Sequence, residues 1–394
     1  MAEKILVINA GSSSIKFTLF NNAENPIYSG ALINHSGQEY FFRTTNSDLQ
    51  HQITSQQFRN AADFILNKLI TEGSVSDIAE IKKTIHRIVH GGEQFKKPVE
   101  LTLNIFRELE KYNDYAPLHN PFALNIAKQF IEKLWEIKHY GVFDTSFHLT
   151  NKKENFLYGL PYGYYENIKI RRFGFHGINY SYVSKFNKDY AKKKLIICHL
   201  GSGSSVCAIQ DGKSINHSFG FSPEVNLIMA TRSGEIDYSA VIYLKNKLGL
   251  NDSDVIELLN KESGLLGISG YSKDMKVLLK DYETNDRAKL AVDMYIAKVV
   301  EYIAKFFVEL QGCDYLIFTG GIGAGSDFIR EKICSKVAIL GIKIDKDKNS
   351  GEIDVSKFID LSAEKSKTKV HVVPAGEEIE MVRQVEHQIS ENRG

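Results

Sequence analysis

Five short polar segments, each bounded by apolar residues, hold the side chains in this chain that could do chemistry. His86-Arg87-Ile88-Val89-His90-Gly91-Gly92 follows Thr84-Ile85, and Pro117-Leu118-His119-Asn120-Pro121 reads as a rigid turn. Val142-Phe143-Asp144-Thr145-Ser146-Phe147-His148 puts an acid at a strand end. Arg171-Arg172-Phe173-Gly174-Phe175-His176-Gly177 sets His176 between glycines, and Ala230-Thr231-Arg232-Ser233-Gly234-Glu235-Ile236-Asp237 sets Arg232 on a polar turn. Each has a structural reading when taken alone. A histidine beside glycines is a satisfied turn residue, an aspartate after a strand is a helix cap, and an arginine is an ion-pair partner. Taken together with glycine-rich turns, arginines, a histidine and one carboxylate are the groups that in-line phosphoryl transfer needs. Arginine forks neutralise phosphoryl oxygens, the histidine adds a hydrogen bond, and a carboxylate orients its partner. One or two oxygen ligands suffice for a divalent cation.

Strands and turns must position these groups. Ile5-Leu6-Val7-Ile8 is an apolar run, Asn9-Ala10-Gly11-Ser12-Ser13-Ser14 a turn, and Ile15, Phe17 and Leu19 alternate with Lys16 and Thr18. The pattern predicts strand, tight turn, strand. A Walker A loop or a dinucleotide fingerprint would instead need the turn to open a helix, and neither motif is present here. Leu195-Ile196-Ile197-Cys198, the turn His199-Leu200-Gly201-Ser202-Gly203-Ser204-Ser205 and Val206-Cys207-Ala208-Ile209 repeat the pattern, and Asp211-Gly212 adds a two-residue hairpin turn. The repeat suggests a duplicated domain, against the alternative of chance. A third site runs from the strand Tyr315–Thr319 through Gly320-Gly321-Ile322-Gly323-Ala324-Gly325-Ser326 into a helix from Asp327. Such a turn lets a ligand approach the backbone. Helical periodicity is read over Gln57–Ile70, over Asn285–Leu310 with a wide apolar face, and over Glu377–Ser390. The Asn285–Leu310 face fits either a core or a subunit interface. Lys343–Asp354 reads as a solvated hairpin tip.

Composition narrows the function classes. The 49 basic and 48 acidic residues leave a net charge of +1, which offers no global field for nucleic acid or an anionic membrane. The 4 cysteines form no C-x-x-C pair and read as reduced, mostly buried thiols. No secretory pattern and no long apolar span are read, so the expectation is a cytoplasmic protein with neither nucleic-acid nor membrane partners. His86 and His90 stand four apart, but they flank a strand end and precede Gly91-Gly92, so a His/Asp metallohydrolase is the weakest reading.

The motifs Asn9-Ala10-Gly11-Ser12-Ser13-Ser14-Ile15-Lys16, His86–Gly92, Phe143–His148, Arg172–Gly177 and Thr231-Arg232-Ser233-Gly234 together resemble the acetate and propionate kinase family, from Val7 to the C-terminal helix. The resemblance implies an α/β fold of two duplicated actin-like ATPase domains, of the sugar-kinase and heat-shock-chaperone type, with ATP in an interdomain cleft. The expected bounds are 1–148 plus the C-terminal helix 377–394 for the first domain and 149–376 for the second. The second would bind nucleotide and form a homodimer.

It further implies reversible phosphoryl transfer from ATP to acetate, giving ADP and acetyl phosphate, with Mg2+ or Mn2+. By motif, Asn9 and Glu377 are the metal-side residues, with Glu378 the alternative one position on. Lys16 and Ser12 contact ATP phosphates. Arg87 binds the substrate, Arg232 stabilises the transferring phosphoryl group, Asp144 is the active-site acid, and His176 is the hydrogen-bond donor to the transition state. His119 is a further phosphate-side histidine. Val89, Leu118, Phe175 and Pro223 line the acyl pocket. The nucleotide segments are His199-Leu200-Gly201-Ser202-Gly203, Asp274-Met275-Lys276 and Gly321-Ile322-Gly323-Ala324-Gly325. Ser202, Ala230, Glu235, Tyr238, Lys276, Ala324 and Gly325 depart from the family pattern. They bear on nucleotide affinity or preference and leave the acyl pocket intact. Two other readings remain: a propionate kinase with a slightly larger pocket, and a noncatalytic, nucleotide-dependent conformational protein on the same fold.

Overall fold

The computed structural model describes residues 3–11, 14–21, 24–35, 39–44, 49–350, 354 and 356–393. The chain divides into two compact units. The first comprises Met1–Ser146, Gly177–Asn179 and Gly376–Gly394, and the second Phe147–His176 and Tyr180–Ala375.

The strands of the first unit are β1 (Lys4–Gly11), β2 (Ser14–Asn21), β3 (Pro26–Asn34), β4 (Tyr40–Thr44), β5 (His51–Ile53), β6 (Ile81–Ile88), β7 (Val99–Glu100) and β8 (Lys138–Phe143). They form one sheet in the order β5-β4-β3-β2-β1-β6-β8-β7. The β1–β2 pair is antiparallel, in the register Asn9 opposite Lys16, as the alternation predicts. The β1–β6 and β6–β8 pairs are parallel. Alternation along β1 divides its side chains between two cores. Leu6 and Ile8 join Phe17, Ile65 and Phe130 on one face. Ile5 and Val7 join Met381, Val382 and Val385 of the C-terminal helix Glu377–Arg393 on the other.

The second unit carries β9 (Lys194–Leu200), β10 (Ser204–Gln210), β11 (Lys213–His217), β12 (Tyr315–Thr319), β13 (Ile359–Asp360) and β14 (Lys369–Val372), in the order β11-β10-β9-β12-β14-β13. Here β9 and β10 are antiparallel, whereas β9, β12 and β14 run parallel. The series β3-β2-β1-β6-β8-β7 of the first unit is therefore repeated strand for strand, including the last antiparallel partner. Asp211 and Gly212 both have positive φ, which suits the two-residue turn between β10 and β11. The helix Asp286–Glu309, capped by Asn285, buries Val292, Ile296, Val299, Ile303 and Phe306 against this sheet. Its inner face is thus core, while Leu290, Met294 and Val308 are exposed.

Two expectations change. Gln57–Ile70 is not one helix: Ser55–Arg59 and Ala61–Thr71 meet at Asn60, whose backbone leaves the helical region. Phe58, Ala61, Ala62, Ile65, Leu66 and Leu69, the apolar residues at helical spacing in this stretch, are nonetheless buried. Burial is set by the core face, and periodicity does not register a one-residue break. The described part of the Lys343–Asp354 stretch is not simply a solvated tip: it holds a helical turn, Lys346–Asn349, capped by Asp345. Its Asn349 is buried and accepts from Arg330 Nε at 2.8 Å. Residues 351–353 of the stretch lie outside the described residues.

Candidate active site

In an α/β sheet the functional groups gather at the carboxyl ends of parallel strands. In the first unit these are the ends of β1, β6 and β8. Arg87 stands near the end of β6, on the face opposite its neighbour His86. His86 is core: it is buried beside Phe130 and bonded through Nε2 to Thr84 Oγ1 at 2.8 Å. Burial holds it neutral, with its pKa pushed down to about 3. Asp144 follows β8, is 1% exposed, and has its backbone N–H on Ile88 O. Its Oδ2 accepts from Arg87 Nε at 3.0 Å and Nη2 at 2.5 Å. Arg87 Nη1 donates to Asn9 Oδ1 at 3.0 Å, and Asn9 Nδ2 donates to Glu378 Oε1 at 3.0 Å. Burial works against the Arg87 charge, but Asp144, Glu377 and Glu378 more than offset it and raise its pKa further. Three of the five guanidinium N–H donors are so engaged, which leaves one on each Nη for an anion. Asp144 Oδ1 is buried without a hydrogen-bond partner among the described residues.

Backbone pins hold this edge. The amide of Asn120 exchanges two hydrogen bonds of 2.9 Å with the backbone of His90, and Gly91 N–H donates to Thr145 Oγ1 at 3.1 Å. His90 Nδ1 accepts from Gly92 N–H. Gly92 has φ +60°, and a Cβ there would lie 2.1 Å from the Tyr112 ring, so only glycine fits. His119 is the buried residue preceding the helix Asn120–Lys133.

In the second unit the corresponding ends are those of β9 and β12. The turn after β9 and the short helical turn Gly320–Gly325 touch: a Cβ on Gly320 would lie 2.6 Å from Leu200 O. Arg330 braces this second turn from below. Its Nη1 donates to Gly323 O at 3.0 Å and to Ala324 O at 2.5 Å. His176, at φ +56°, stacks on His199 with ring centroids 4.2 Å apart. Its Nδ1 lies 2.8 Å from Ser205 Oγ. The Arg232 turn is stitched to the wide helical turn Leu258–Glu262 and to Ser263 by Thr231 Oγ1 on Asn260 O, Ser233 N–H on Leu259 O and Ser263 N–H on Thr231 O. Ala230 N–H donates to Ser202 O at 3.3 Å, which ties it to the turn after β9. Arg232 Nη1 donates to Pro223 O at 3.2 Å. Glu235 bonds Tyr302 Oη, and Tyr302 also reaches Ser218 O at 3.2 Å.

The first unit thus gathers Asn9, Arg87, Val89 and Asp144 at one sheet edge, with Lys16 across the β1–β2 ladder from Asn9. Of the two glutamates, Glu378 is the one bonded to Asn9. The second unit gathers His176, His199 to Gly203, Pro223, Arg232 and Gly321 to Gly325. Phe175, just before His176, packs edge-on against Phe219. Asp274 caps the helix Met275–Lys280, Met275 is core, and Lys276 is exposed. Leu118 is half-buried in the first unit. Ser12 lies outside the described residues. Asn120, Thr145, Ser205 and Arg330 were not legible as site residues: the first three act on partners distant in sequence, and Arg330 on a turn whose folding back its spacing does not show. Asn120 and Thr145 sit inside the polar segments and Ser205 at the end of the turn His199–Ser205, which was the available signal.

Comparison with known proteins bears on the family and the fold. A sequence model described as the Acetokinase family matches residues 4–383. The acetate kinase of Bacillus cytotoxicus is 38% identical over 393 residues, covering 97% of this chain and 98% of its own. The crystal structure of Porphyromonas gingivalis acetate kinase superposes with a TM-score of 0.88 at 34% identity, covering 98% of this chain and 100% of its own. A propionate kinase from Francisella tularensis also gives 0.88, at 32% identity, covering 97% and 98%. With both sheets sharing one strand order and the match running almost end to end, this chain belongs to the acetokinase family.

Proposed function

We propose that this protein catalyses the reversible transfer of the terminal phosphoryl group of ATP to acetate, giving acetyl phosphate and ADP, with Mg2+. The observation that carries this reading is the Arg87 clamp. A guanidinium held by two N–H bonds to one oxygen of buried Asp144, and by a third to Asn9, keeps two N–H donors for an incoming anion. Acetate is already ionised and needs no base to start. One carboxylate oxygen forms the new O–P bond while the bond from phosphorus to the β-phosphate oxygen breaks, and ADP departs with that electron pair. The obstacle is bringing two anions together, so the chain's task is charge neutralisation and alignment. Arg87 holds the carboxylate and Arg232 meets the charge on the phosphoryl group. His176 donates to an equatorial oxygen, and Asp144 orients Arg87 rather than removing a proton. Lys16, Ser12 and His119 serve the phosphates. His199 to Gly203, Asp274 to Lys276 and Gly321 to Gly325 serve the nucleotide, and Val89, Leu118, Phe175 and Pro223 the methyl group.

The residues suit a hard divalent cation. The unpartnered Asp144 Oδ1, the carboxylate of Glu378 on Asn9, and Glu377, whose charge acts on Arg87, are oxygen donors. No cluster of three or more His, Cys, Asp or Glu that could cage a metal occurs among the described residues. That suits an ion that keeps waters and substrate phosphates as ligands. When bound, Mg2+ would add charge neutralisation at the phosphates.

The test is a hydroxamate assay for acetyl phosphate with acetate, ATP and Mg2+, run also with propionate. Product is expected with the wild type, and Arg232→Ala should lower kcat by about 10²–10³. No acyl phosphate from either acid with any nucleotide would overturn the reading. The kcat/KM ratio decides between the two acids, since one methylene is worth only ~1–3 kcal/mol.

The two units, taken at the bounds above, would be the duplicated domains. The second supplies the surface for a homodimer: helix Tyr238–Leu248 has no buried residue, and Tyr238, Ile242, Tyr243 and Leu248 are exposed. Light scattering should give twice the 44.5 kDa chain mass, and a monomer at micromolar concentration would refute it. The free cysteines, three of them buried, agree with a cytoplasmic location. No helix among the described residues is long and apolar enough to cross a membrane.

A further inference from the structure

The Tyr180 hydroxyl lies 2.5 Å from Ser205 Oγ, and Ser205 Oγ lies 2.8 Å from His176 Nδ1. Tyr180 and Ser205 are fully buried. Three atoms in a row share two bridging protons, and three proton orders can be written. If His176 Nδ1–H donates to Ser205 and Ser205 donates to Tyr180, the phenol proton has no acceptor among the described residues. If His176 and Tyr180 both donate to Ser205, the serine proton is stranded. Only Tyr180 O–H to Ser205, with Ser205 O–H to His176 Nδ1, satisfies every donor. A stranded buried donor costs about 1–3 kcal/mol, so the third order prevails. It also puts the more acidic hydroxyl in the donor role.

We propose that Ser205, backed by Tyr180, is a positioning residue that fixes His176 in the tautomer with Nδ1 bare and the proton on Nε2. That second nitrogen faces the turn after β9: a Cβ on Gly203 would lie 3.3 Å from it. The stack on His199 fixes the ring plane, and the Phe219 ring packs edge-on at 5.1 Å. The Nε2–H is thereby held toward the glycine turn before any ligand arrives, which is how a preorganised donor avoids reorganisation during the reaction. The consequence for rate rests on the reading of His176 as the donor to the transferring phosphoryl group.

The test reads the tautomer directly. Protein labelled with 15N at histidine, without nucleotide, should show the His176 resonance as Nε2–H at neutral pH, assigned by its loss in His176→Asn. Ser205→Ala should shift it toward a mixture and lower kcat ~10-fold, the worth of one hydrogen bond. KM values should stay within about twofold, since ground-state binding is untouched. Ser205→Thr should restore both readouts, and Tyr180→Phe should retain the Nε2–H form with a loss of about threefold. An Nδ1–H form in the wild type, or an unchanged tautomer in folded Ser205→Ala, would overturn the proposal. If the tautomer shifts while kcat holds, the relay stands and the assignment of His176 to phosphoryl transfer falls.

Discussion

The two units repeat one strand order, yet they equip their strand ends differently. The first unit's edge is ionic: Arg87, Asp144, Asn9 and Glu378 form one hydrogen-bonded chain. The second unit's edge is largely backbone and neutral side chains. Glycine turns pack on one another, His176 rests on Ser205, and Arg232 donates to the Pro223 carbonyl. Duplicating a sheet duplicates the scaffold that aims side chains, not the chemistry aimed. A paired guanidinium is stiff and suits orienting a small carboxylate. The Arg232 guanidinium supplies positive charge where a phosphoryl group gains negative charge.

Removing the ionic centre should give the largest effect. Arg87→Ala leaves Asp144 buried and uncompensated, at a cost of about 3–5 kcal/mol. It should also lower kcat/KM by at least about 10³. Denaturant melts and the hydroxamate assay measure the two losses, and equal losses from Arg87→Ala and Arg232→Ala in stability would erase the contrast between the edges. Asp144→Asn should cost less, about 10–10² in kcat, because Arg87 keeps its place through Asn9. Near-normal turnover in that variant would show the carboxylate charge to be dispensable.

A further effect concerns the interiors, where the units converge. Each buries a histidine that burial keeps neutral: His86 in the first, with its pKa near 3, and His148 in the second, near 4. These values lie below the unfolded value of 6.5. The unfolded chain therefore takes up protons that the folded chain refuses. Stability is complete above about pH 6.5 and falls as pH drops toward the folded values. Each histidine forfeits about 2 kcal/mol by pH 5. Urea melts at pH 7.5 and 5 should show the loss, and His86→Gln with His148→Gln should flatten it. An unchanged slope in the double variant would assign the acid sensitivity to other groups, buried His217 among them, whose pKa burial also lowers.

Local pattern carried far. The β1–β2 and β9–β10 hairpins, the turn at Asp211-Gly212 and the helix Asp286–Glu309 follow from residues a few positions apart, whose alternation, turn chemistry and capping act within one element. The break at Asn60 and the helical turn at Lys346–Asn349 escaped that reading, because packing on a neighbour decided them. The candidate residues were legible as types inside motifs. Their partnerships were not. Arg87 meets Asp144 across 57 positions, Asn9 meets Arg87 across 78, and Glu378 meets Asn9 across 369. Parallel strand order and the docking of the C-terminal helix create those meetings. The sequence by itself determined which chemistry was on offer and the local elements that carry it. Only the tertiary structure decided that Glu378 is the glutamate on Asn9 and that Ser205 stands behind His176. Hydrogen bonds depend on ångström-scale distances that no spacing along a chain encodes.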